Sequence, residues 1–400
     1  MKEGLLNPSE KIIEVDSSPF PSLFVKKLKL TNFRNYKEAE VELEPCTVII
    51  TGQNGSGKTN LLEAISLLVP GKGIRGAKLN TIDKKNFEDG EDGAFHGLPW
   101  SIYAEIATPS GDVSIGTGRE ANRDSDKRIV KIDGEKKRGQ SELAHYFSVC
   151  SLTPPMDQTF SDGATSRRAF LDRIVTNFYP EHIKHLAIYS HAKSERSKLI
   201  TGYKMDAIWA ETLEKRMAEQ AVAIAAARLE TIEMLQKEMD NNNSSFPNAV
   251  VSIKGSVEES LRSMSALHAE EEFASKLESS RYLDRETGRT NVGPHRSDFV
   301  AYHSEKNLPA DLCSTGEQKA LLLSITMASA RARKSWSGSC PVMILDEVVA
   351  HLDEQKRASF FEELDQLSAQ SWLTGTDMSF FSDFRGKKQL LTIENSRIVV

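Results

Sequence analysis

Residues 46–51 of this 400-residue chain read Cys46-Thr47-Val48-Ile49-Ile50-Thr51, and residues 52–59 read Gly52-Gln53-Asn54-Gly55-Ser56-Gly57-Lys58-Thr59. These two adjoining segments give the strongest indication of the fold. The first six residues are short and β-branched, which is typical of a strand buried on both faces. The next eight match the pattern G-x-x-x-x-G-K-[ST], and Leu61, Leu62 and Ile65 then recur at helical spacing. A buried strand, a glycine-rich loop and a helix together predict an α/β domain that binds phosphate groups.

Each residue type in this loop has a chemical reason. The glycines permit positive φ and a close backbone approach, so that successive N–H groups can point at phosphate oxygens. The start of the following helix adds the positive end of its dipole. We therefore expect Gly52 to Thr59 to bind ATP, with Lys58 acting on the β- and γ-phosphates and Thr59 offering its hydroxyl to Mg²⁺.

A second strand carries two carboxylates. The apolar run Val342-Met343-Ile344-Leu345 ends in Asp346 and Glu347. A carboxylate at the end of such a strand can reach the Mg²⁺ sphere, so Asp346 is expected to be a metal ligand. Glu347 is expected to polarise the attacking water. The alternative is a solvated acidic turn after a core strand, which the phosphate loop upstream disfavours.

A third segment changes the class of protein that the motifs indicate. Ser314-Thr315-Gly316-Glu317-Gln318 precedes an apolar helical run, and a helix start of this kind is an anion site. One phosphate loop does not need a second anion site, but two copies packed head to tail do. Taken alone, the segment is more simply an N-cap in which Ser314 pairs with Glu317.

The order of the segments favours the dimer. Phosphate loop, Ser-x-Gly-x-Gln, Asp-Glu strand and Ala350-His351-Leu352-Asp353 follow one another as the corresponding parts do in ABC-type ATPases. We therefore expect Ser314, Gly316, Gln318 and Asp353 to contact the nucleotide across a homodimer interface.

The remaining sequence divides into four parts. Residues 1–22 read as a loosely ordered extension, and residues 23–164 as the first part of the ATPase lobe, with an antiparallel meander after residue 99. Residues 165–290 read as a helical lobe, whose clearest helix spans residues 206–240. Residues 291–400 complete the ATPase lobe. The fold class expected is α/β, an ABC-type ATPase head with a mainly helical second lobe.

Composition excludes several classes of protein. The chain has 51 basic and 57 acidic residues, a net charge of −6, so that any nucleic-acid site must be a local patch. No apolar run approaches the roughly 20 residues of a membrane-spanning helix. The four cysteines are scattered and form no C-x-x-C pair. A cytoplasmic protein without a membrane partner is expected.

Several motifs in one order resemble the bacterial RecF family of DNA replication and repair proteins. They are the loop above, Leu345-Asp346-Glu347, Asn32-Phe33-Arg34-Asn35-Tyr36, Ser166-Arg167-Arg168-Ala169-Phe170-Leu171-Asp172-Arg173, Gly293-Pro294-His295-Arg296-Ser297-Asp298 and Ser314-Thr315-Gly316-Glu317-Gln318-Lys319. The resemblance implies ATP-driven dimerisation on DNA, release by hydrolysis, loading of RecA at gaps with RecO and RecR, and support of the SOS response. It also places Arg34 and Asn35 at the nucleotide, and Gln158 near the Mg²⁺.

Local clusters of basic residues are the candidates for DNA contacts. The residues concerned are Arg167, Arg168, Arg173, Lys193 and Arg196. Solvated faces are an equally good explanation for any one of them. Three other functions share part of the motif order: a nucleotide-gated clamp with little turnover, the ATPase subunit of an ABC transporter, and an ATPase head fused to a nuclease.

Overall fold

The structure, a computed structural model, describes residues 21–84, 98–122, 125–203, 205–241, 246–394 and 396–399. Apart from its last two residues, the predicted extension 1–22 lies outside this range. The strands are β1 (Phe24–Phe33), β2 (Tyr36–Glu42), β3 (Thr47–Thr51), β4 (Ser101–Thr108), β5 (Gly111–Asn122), β6 (Ser125–Ile132), β7 (Glu135–Lys136), β8 (Val149–Leu152), β9 (Ala249–Lys254), β10 (Asp298–His303), β11 (Leu308–Pro309), β12 (Val342–Leu345), β13 (Ser371–Thr374), β14 (Lys388–Glu394) and β15 (Arg397–Val399). The α-helices are α1 (Lys58–Ser66), α2 (Ala164–Phe178), α3 (His182–Thr201), α4 (Ala207–Asp240), α5 (Ser256–Ser263), α6 (Ala266–Ser279), α7 (Arg281–Thr287), α8 (Thr315–Ser337) and α9 (Glu354–Leu367).

A six-stranded sheet places the phosphate loop beside the acidic strand. Its order is β15-β14-β3-β13-β12-β8, and all its pairings are parallel except β14 with β15. Because the carboxyl ends of parallel strands meet at one edge, the segments after β3, β13 and β12 are neighbours there. The predicted buried strand is confirmed as β3, with Val48, Ile49 and Ile50 fully buried, and the predicted helix as α1.

A second sheet is antiparallel, in the order β2-β1-β4-β5-β6-β7. It contains the predicted meander, which is formed by β4, β5 and β6. Val41 is buried between exposed Glu40 and Glu42, as the alternation in sequence predicts. The inner faces of both sheets and α1 share one hydrophobic core.

The second lobe is built on α4, a helix of 34 residues. Asp206 caps its start by accepting hydrogen bonds from the N–H groups of Ile208 and Trp209, so the helix predicted over residues 206–240 is confirmed. Its apolar face packs against α3 and α6 around Met217, Ile224 and Phe273, in a core separate from that of the sheets. The predicted helical character of this lobe is therefore confirmed.

A three-stranded sheet, ordered β11-β10-β9, was not predicted. β9 lies inside the segment read as helical, and β10 and β11 lie in the segment assigned to the ATPase lobe. The sheet packs in one core with α2, α4 and the buried side of α8. A boundary at residue 290 therefore cuts through a packed unit. Among the described helices, none is both long and apolar enough to cross a membrane.

Candidate nucleotide-binding site

The phosphate loop joins β3 to α1 and is held by the turn between β1 and β2. Asn35 Nδ2 donates to Ser56 O at 3.0 Å, and the Tyr36 hydroxyl donates to Gly57 O at 3.1 Å. Gly57 has φ +119°, and a Cβ there would lie 2.6 Å from Asn35 Nδ2. The last glycine of the loop is thus required by both conformation and space. Asn35 supports the loop from behind, and its predicted contact with the nucleotide stays a prediction.

Lys58 lies folded into the loop. Its Nζ donates to Gly52 O at 2.6 Å and to Gln53 O at 3.0 Å. Burial lowers the pKa of Lys58, while the negative charges of Glu347 and Asp346 act in the opposite direction. A partly desolvated ammonium group gains from a nearby anion. The ammonium group of Lys58 is therefore positioned so that a phosphate oxygen could replace one of the two carbonyl oxygens as its hydrogen-bond acceptor.

Other features of the loop also fit a phosphate chain. Ser56 Oγ is buried and has no hydrogen-bond partner among the described residues. Gln53, Asn54 and Gly55 are exposed. They border a cavity of about 550 Å³ whose other wall is formed by Thr392, Ile393, Glu394 and Ser396. The cavity offers room for the remainder of a nucleotide beside the loop.

Asp346 is held by a residue of β13, the strand that lies between β3, which leads into the phosphate loop, and β12, which ends just before Asp346. Thr374, at the end of β13, donates from Oγ1 to Asp346 Oδ1 at 2.6 Å. The same hydroxyl accepts from the backbone N–H of Glu347 at 2.9 Å. Thr59 Oγ1 lies 3.4 Å from Asp346 Oδ1. Thr59 and Asp346, two of the residues predicted at the Mg²⁺, are therefore neighbours, and Thr374 orients Asp346.

This pair fits Mg²⁺ only together with a nucleotide. Among the described residues, no group of three or more His, Cys, Asp or Glu side chains could hold a metal ion. Magnesium bound at protein sites commonly takes one or two protein ligands and completes its octahedron with phosphate oxygens and water. One hydroxyl and one carboxylate, beside a phosphate loop, match that demand.

Glu347 adopts φ +55°, a conformation that non-glycine residues seldom take. A residue in this conformation is held in place by its surroundings. For Glu347, the contact is the hydrogen bond that its backbone N–H donates to Thr374 Oγ1. Glu347 and Asp346 line a small cavity of about 80 Å³ together with Asp157, Gly316 and Lys319. Glu347, the residue predicted to polarise the attacking water, therefore lies on the side of the site that is nearest to the Ser314 segment.

The Ser314 segment begins α8 at the protein surface. Ser314 and Glu317 form the reciprocal capping box that the simpler interpretation predicts. Ser314, Thr315 and Gly316 are nevertheless exposed, and the first N–H groups of a helix have no partner within it. The capping box takes up the Ser314 hydroxyl, which donates to Glu317 Oε2 at 2.9 Å, and leaves the backbone N–H groups of Thr315 and Gly316 for an anion. Gln318 differs from expectation, because it is buried and its amide donates to Cys313 O at 2.9 Å.

Three further residues predicted near the nucleotide have other contacts. Arg34 donates from Nε and Nη2 to Glu63 and from Nη1 to Thr81 O, so that its guanidinium group is committed to the scaffold. Asp353 caps α9 and pairs with Lys356 at 3.0 Å on the surface. Gln158 is exposed on the turn after β8. It is the neighbouring Asp157 that borders the cavity of Asp346 and Glu347.

The basic residues predicted to contact DNA separate into two groups. Arg196 is fully buried and donates to Glu214 at 2.8 Å and to Asp284 at 2.7 Å, which corrects its assignment as a DNA contact. Arg167 makes a bidentate pair with Asp298. Burial lowers the pKa of Arg173, whose Nη1 contacts Met156 Sδ. Arg168 and Lys193 have no ion pair with a carboxylate in the described part of the chain.

The residues that the sequence analysis missed are supports of the site. Thr374 is not among the residues predicted for the site. Asn60 bridges to Asn35 Oδ1 at 2.6 Å, and Lys319 pairs with Asp157 at 2.8 Å. The position of Thr374 at the end of a parallel strand between β3 and β12 is the signal that would have identified it, once the strand order was known.

Comparisons with known proteins agree on one family. The family model described as RecF/RecN/SMC N terminal domain matches residues 24–396. The chain is 42% identical over 376 residues to a protein of Mesorhizobium japonicum named DNA replication and repair protein RecF, covering 94% of this chain and 97% of that one. It is 38% identical to the protein of the same name from Agrobacterium fabrum, with 94% and 98% covered.

Solved structures show the same fold. A structure titled as the recombination mediator protein RecF with ATPγS in the RecFOR pathway superposes with a TM-score of 0.81 at 23% identity, covering 95% of this chain and 98% of that one. An Smc head domain from Pyrococcus furiosus gives a TM-score of 0.52 at 14% identity, covering 94% and 96%. With its phosphate loop, its acidic strand and its two lobes, the chain belongs to the RecF family of DNA replication and repair proteins, which has the ATPase head fold of SMC proteins.

Proposed function

We propose that this protein is a Mg²⁺-dependent ATPase that closes into a homodimer when ATP is bound, binds duplex or gapped DNA in that state and leaves it after hydrolysis. The observation that carries the proposal is the geometry at one edge of the central sheet. Lys58, Thr59, Asp346 and Glu347 converge there, while Ser314 and Gly316 lie exposed at a helix start.

The chain's own residues would divide the reaction between them. The N–H groups of residues 52–59 and Lys58 bind the phosphate chain, and Thr59 and Asp346 hold the metal, which neutralises charge on the β- and γ-phosphates. Glu347 accepts a hydrogen bond from the attacking water and orients it towards the γ-phosphate. Thr374 keeps the Asp346 carboxylate and the Glu347 backbone in position. No residue has to supply redox or covalent chemistry.

The second copy would complete this site. The N–H groups of Thr315 and Gly316 would meet the γ-phosphate held by the other protomer, and the Ser314 hydroxyl would join them once it turns away from Glu317 Oε2. The binding energy of these contacts would drive dimerisation. Asp353, at the surface after the acidic strand, would lie along the same interface. Loss of the γ-phosphate removes the anion on which the contact depends, so that hydrolysis opens the dimer.

The biological setting follows from the relatives' names and remains part of the proposal. Proteins named for DNA replication and repair, and a structure titled for the RecFOR pathway, support a role in recombinational repair. In that role the ATP-bound dimer would mark gapped DNA in the cytoplasm, work with RecO and RecR to load RecA, and support the SOS response. The relatives' names give no support to a transporter subunit.

Sedimentation with and without ATP and Mg²⁺ tests the proposal. We expect a monomer without nucleotide, a dimer with ATP and Mg²⁺, and co-sedimentation with DNA only in the second condition. A protein that hydrolyses ATP at its full rate while monomeric would contradict the dimeric site. The exposed helix start also suits the alternative function, a nucleotide-gated clamp with little turnover. Such a clamp would dimerise and bind DNA, but it would hydrolyse ATP too slowly for hydrolysis to explain its release from DNA.

A further inference from the structure

Three basic side chains from different parts of the chain lie together on the second lobe. Arg168 is on α2, Lys193 is on α3, and Arg296 belongs to the loop that precedes β10. The positive charges of Arg296 and Arg168 both act on Lys193 and, after burial, lower its pKa. Like charges that are close enough to perturb one another raise the energy of the group unless an anion joins them.

The acidic residues near this group are already engaged. Asp172 binds Arg228 at 2.8 Å and His182 at 2.8 Å, and Asp298 binds Arg167 at 2.7 Å. In the described residues, Lys193 has no hydrogen bond or ion pair. Arg168 donates to Ser297 O and Thr165 Oγ1, and Arg296 donates to Asn291 Oδ1. These acceptors are neutral. The charges of Asp172 and Asp298 still act favourably on Arg168, but among the described residues no carboxylate forms an ion pair with any of the three basic side chains.

The surrounding contacts fix the position of the group. His295 donates from Nε2 to Thr290 O at 3.0 Å, and its Nδ1 accepts from the Tyr189 hydroxyl at 2.8 Å. Burial lowers the pKa of His295 to about 4, so the ring is neutral at pH 7 and adds no charge. Gly293 has φ +123°, and a Cβ there would lie 2.3 Å from the Tyr189 hydroxyl. The loop that carries Arg296 is therefore pressed firmly against α3.

We propose that Arg168, Lys193 and Arg296 form a phosphate-binding patch that contacts the backbone of duplex DNA. The inference rests on the proposed DNA-binding function and assigns it to one surface. It differs from the assignment based on sequence, because Arg167, Arg173 and Arg196 are excluded and Arg296 is added. Contacts of this kind recognise the backbone without reading base sequence.

The test compares lysines of the same helix. Lys193→Ala and the double variant Lys193→Ala/Arg296→Ala remove charges of the patch. Lys198→Ala is the matched control, since Lys198 is 75% exposed, pairs with Glu195 and lies about 140° around the α3 axis from Lys193. Binding of a labelled duplex is measured by fluorescence anisotropy with ATPγS and Mg²⁺ at several salt concentrations. Sedimentation checks that every variant still dimerises.

We expect the double variant to bind duplex DNA about 10- to 100-fold more weakly near 100 mM salt, and its log–log salt slope to fall by about 2. Lys193→Ala should lower the slope by about 1, Lys193→Arg should restore it, and Lys198→Ala should match the unmodified protein. A double variant that dimerises and binds DNA with an unchanged salt slope would overturn the patch and leave the proposed function intact. An unmodified dimer that binds no DNA would overturn both.

Discussion

Thr374 donates a hydrogen bond of 2.6 Å to Asp346 and accepts one of 2.9 Å from the backbone of Glu347. One hydroxyl on the middle strand thus fixes the carboxylate of Asp346 and the backbone from which the Glu347 side chain projects. Replacing it in Thr374→Val keeps the shape and removes both bonds. We expect ATP binding to persist and hydrolysis to fall about 10- to 100-fold, with a higher Mg²⁺ requirement, as for other residues that orient metal ligands.

The control for this prediction is Thr374→Ser, which retains the hydroxyl and should keep most of the activity. Steady-state hydrolysis is measured against Mg²⁺ concentration for both variants. If Thr374→Val hydrolyses ATP with the unmodified Mg²⁺ dependence, the threonine has no positioning role.

Glu347 is predicted to orient the attacking water, so Glu347→Gln should bind ATP and dimerise but hydrolyse about 10²- to 10⁴-fold more slowly. The expected product is a dimer that persists on DNA after excess ATP is removed. Glu354→Gln is a suitable control, because Glu354 is exposed in the first turn of α9. A normal turnover rate for Glu347→Gln would remove this residue from its role.

The Lys319–Asp157 ion pair joins α8 to the turn after β8, at a distance of 2.8 Å and with both side chains about one-quarter exposed. We predict that Lys319→Asp weakens ATP-driven dimerisation, because α8 carries the helix start that meets the second copy. The exchange Lys319→Asp/Asp157→Lys should recover about 1 kcal/mol of the loss in a double-mutant cycle. Strictly additive effects on the dimer dissociation constant would show that the pair does not couple the two segments.

Arg196 is predicted to stabilise the helical lobe and to make no contact with DNA. Arg196→Met would leave Glu214 with Arg281 alone and would remove the ion pair that Asp284 makes in the described part of the chain. Breaking one partner of a buried pair typically destabilises by about 3–5 kcal/mol. Urea unfolding of the full chain measures this loss. An Arg196→Met protein of normal stability with weakened DNA binding would reverse our assignment.

The sequence motifs predicted the fold well, but they did not predict the residues that hold the site in place, such as Thr374. The loop from Gly52 to Thr59 and the carboxylates of Asp346 and Glu347 are recognisable because phosphate and metal chemistry restricts the residue types at fixed spacing. Thr374 was not assigned a role, because its contact with Asp346 depends on the order β3-β13-β12, which local sequence does not encode.

Charge alone was a poor guide to the DNA surface for a similar reason. Arg196 and Lys193 lie on the same helix, yet the first is fully buried between two carboxylates and the second has no ion pair among the described residues. Pairing with Glu214 and Asp284 depends on the packing of α3 against α4 and α7. The sheet β9–β11 was missed because three helices separate β9 from β10 along the chain.

The composite site is tested most directly by mixing two inactive variants. Lys58→Ala lacks the phosphate loop's charge, and Ser314→Arg/Gly316→Trp blocks the helix start, so each should hydrolyse almost no ATP alone. In an equal mixture, half of the dimers are mixed, and each mixed dimer holds one intact site, so activity should return to about one quarter of the unmodified rate. A mixture no more active than its two components would contradict a site shared between protomers, as would full activity of the Ser314/Gly316 variant alone.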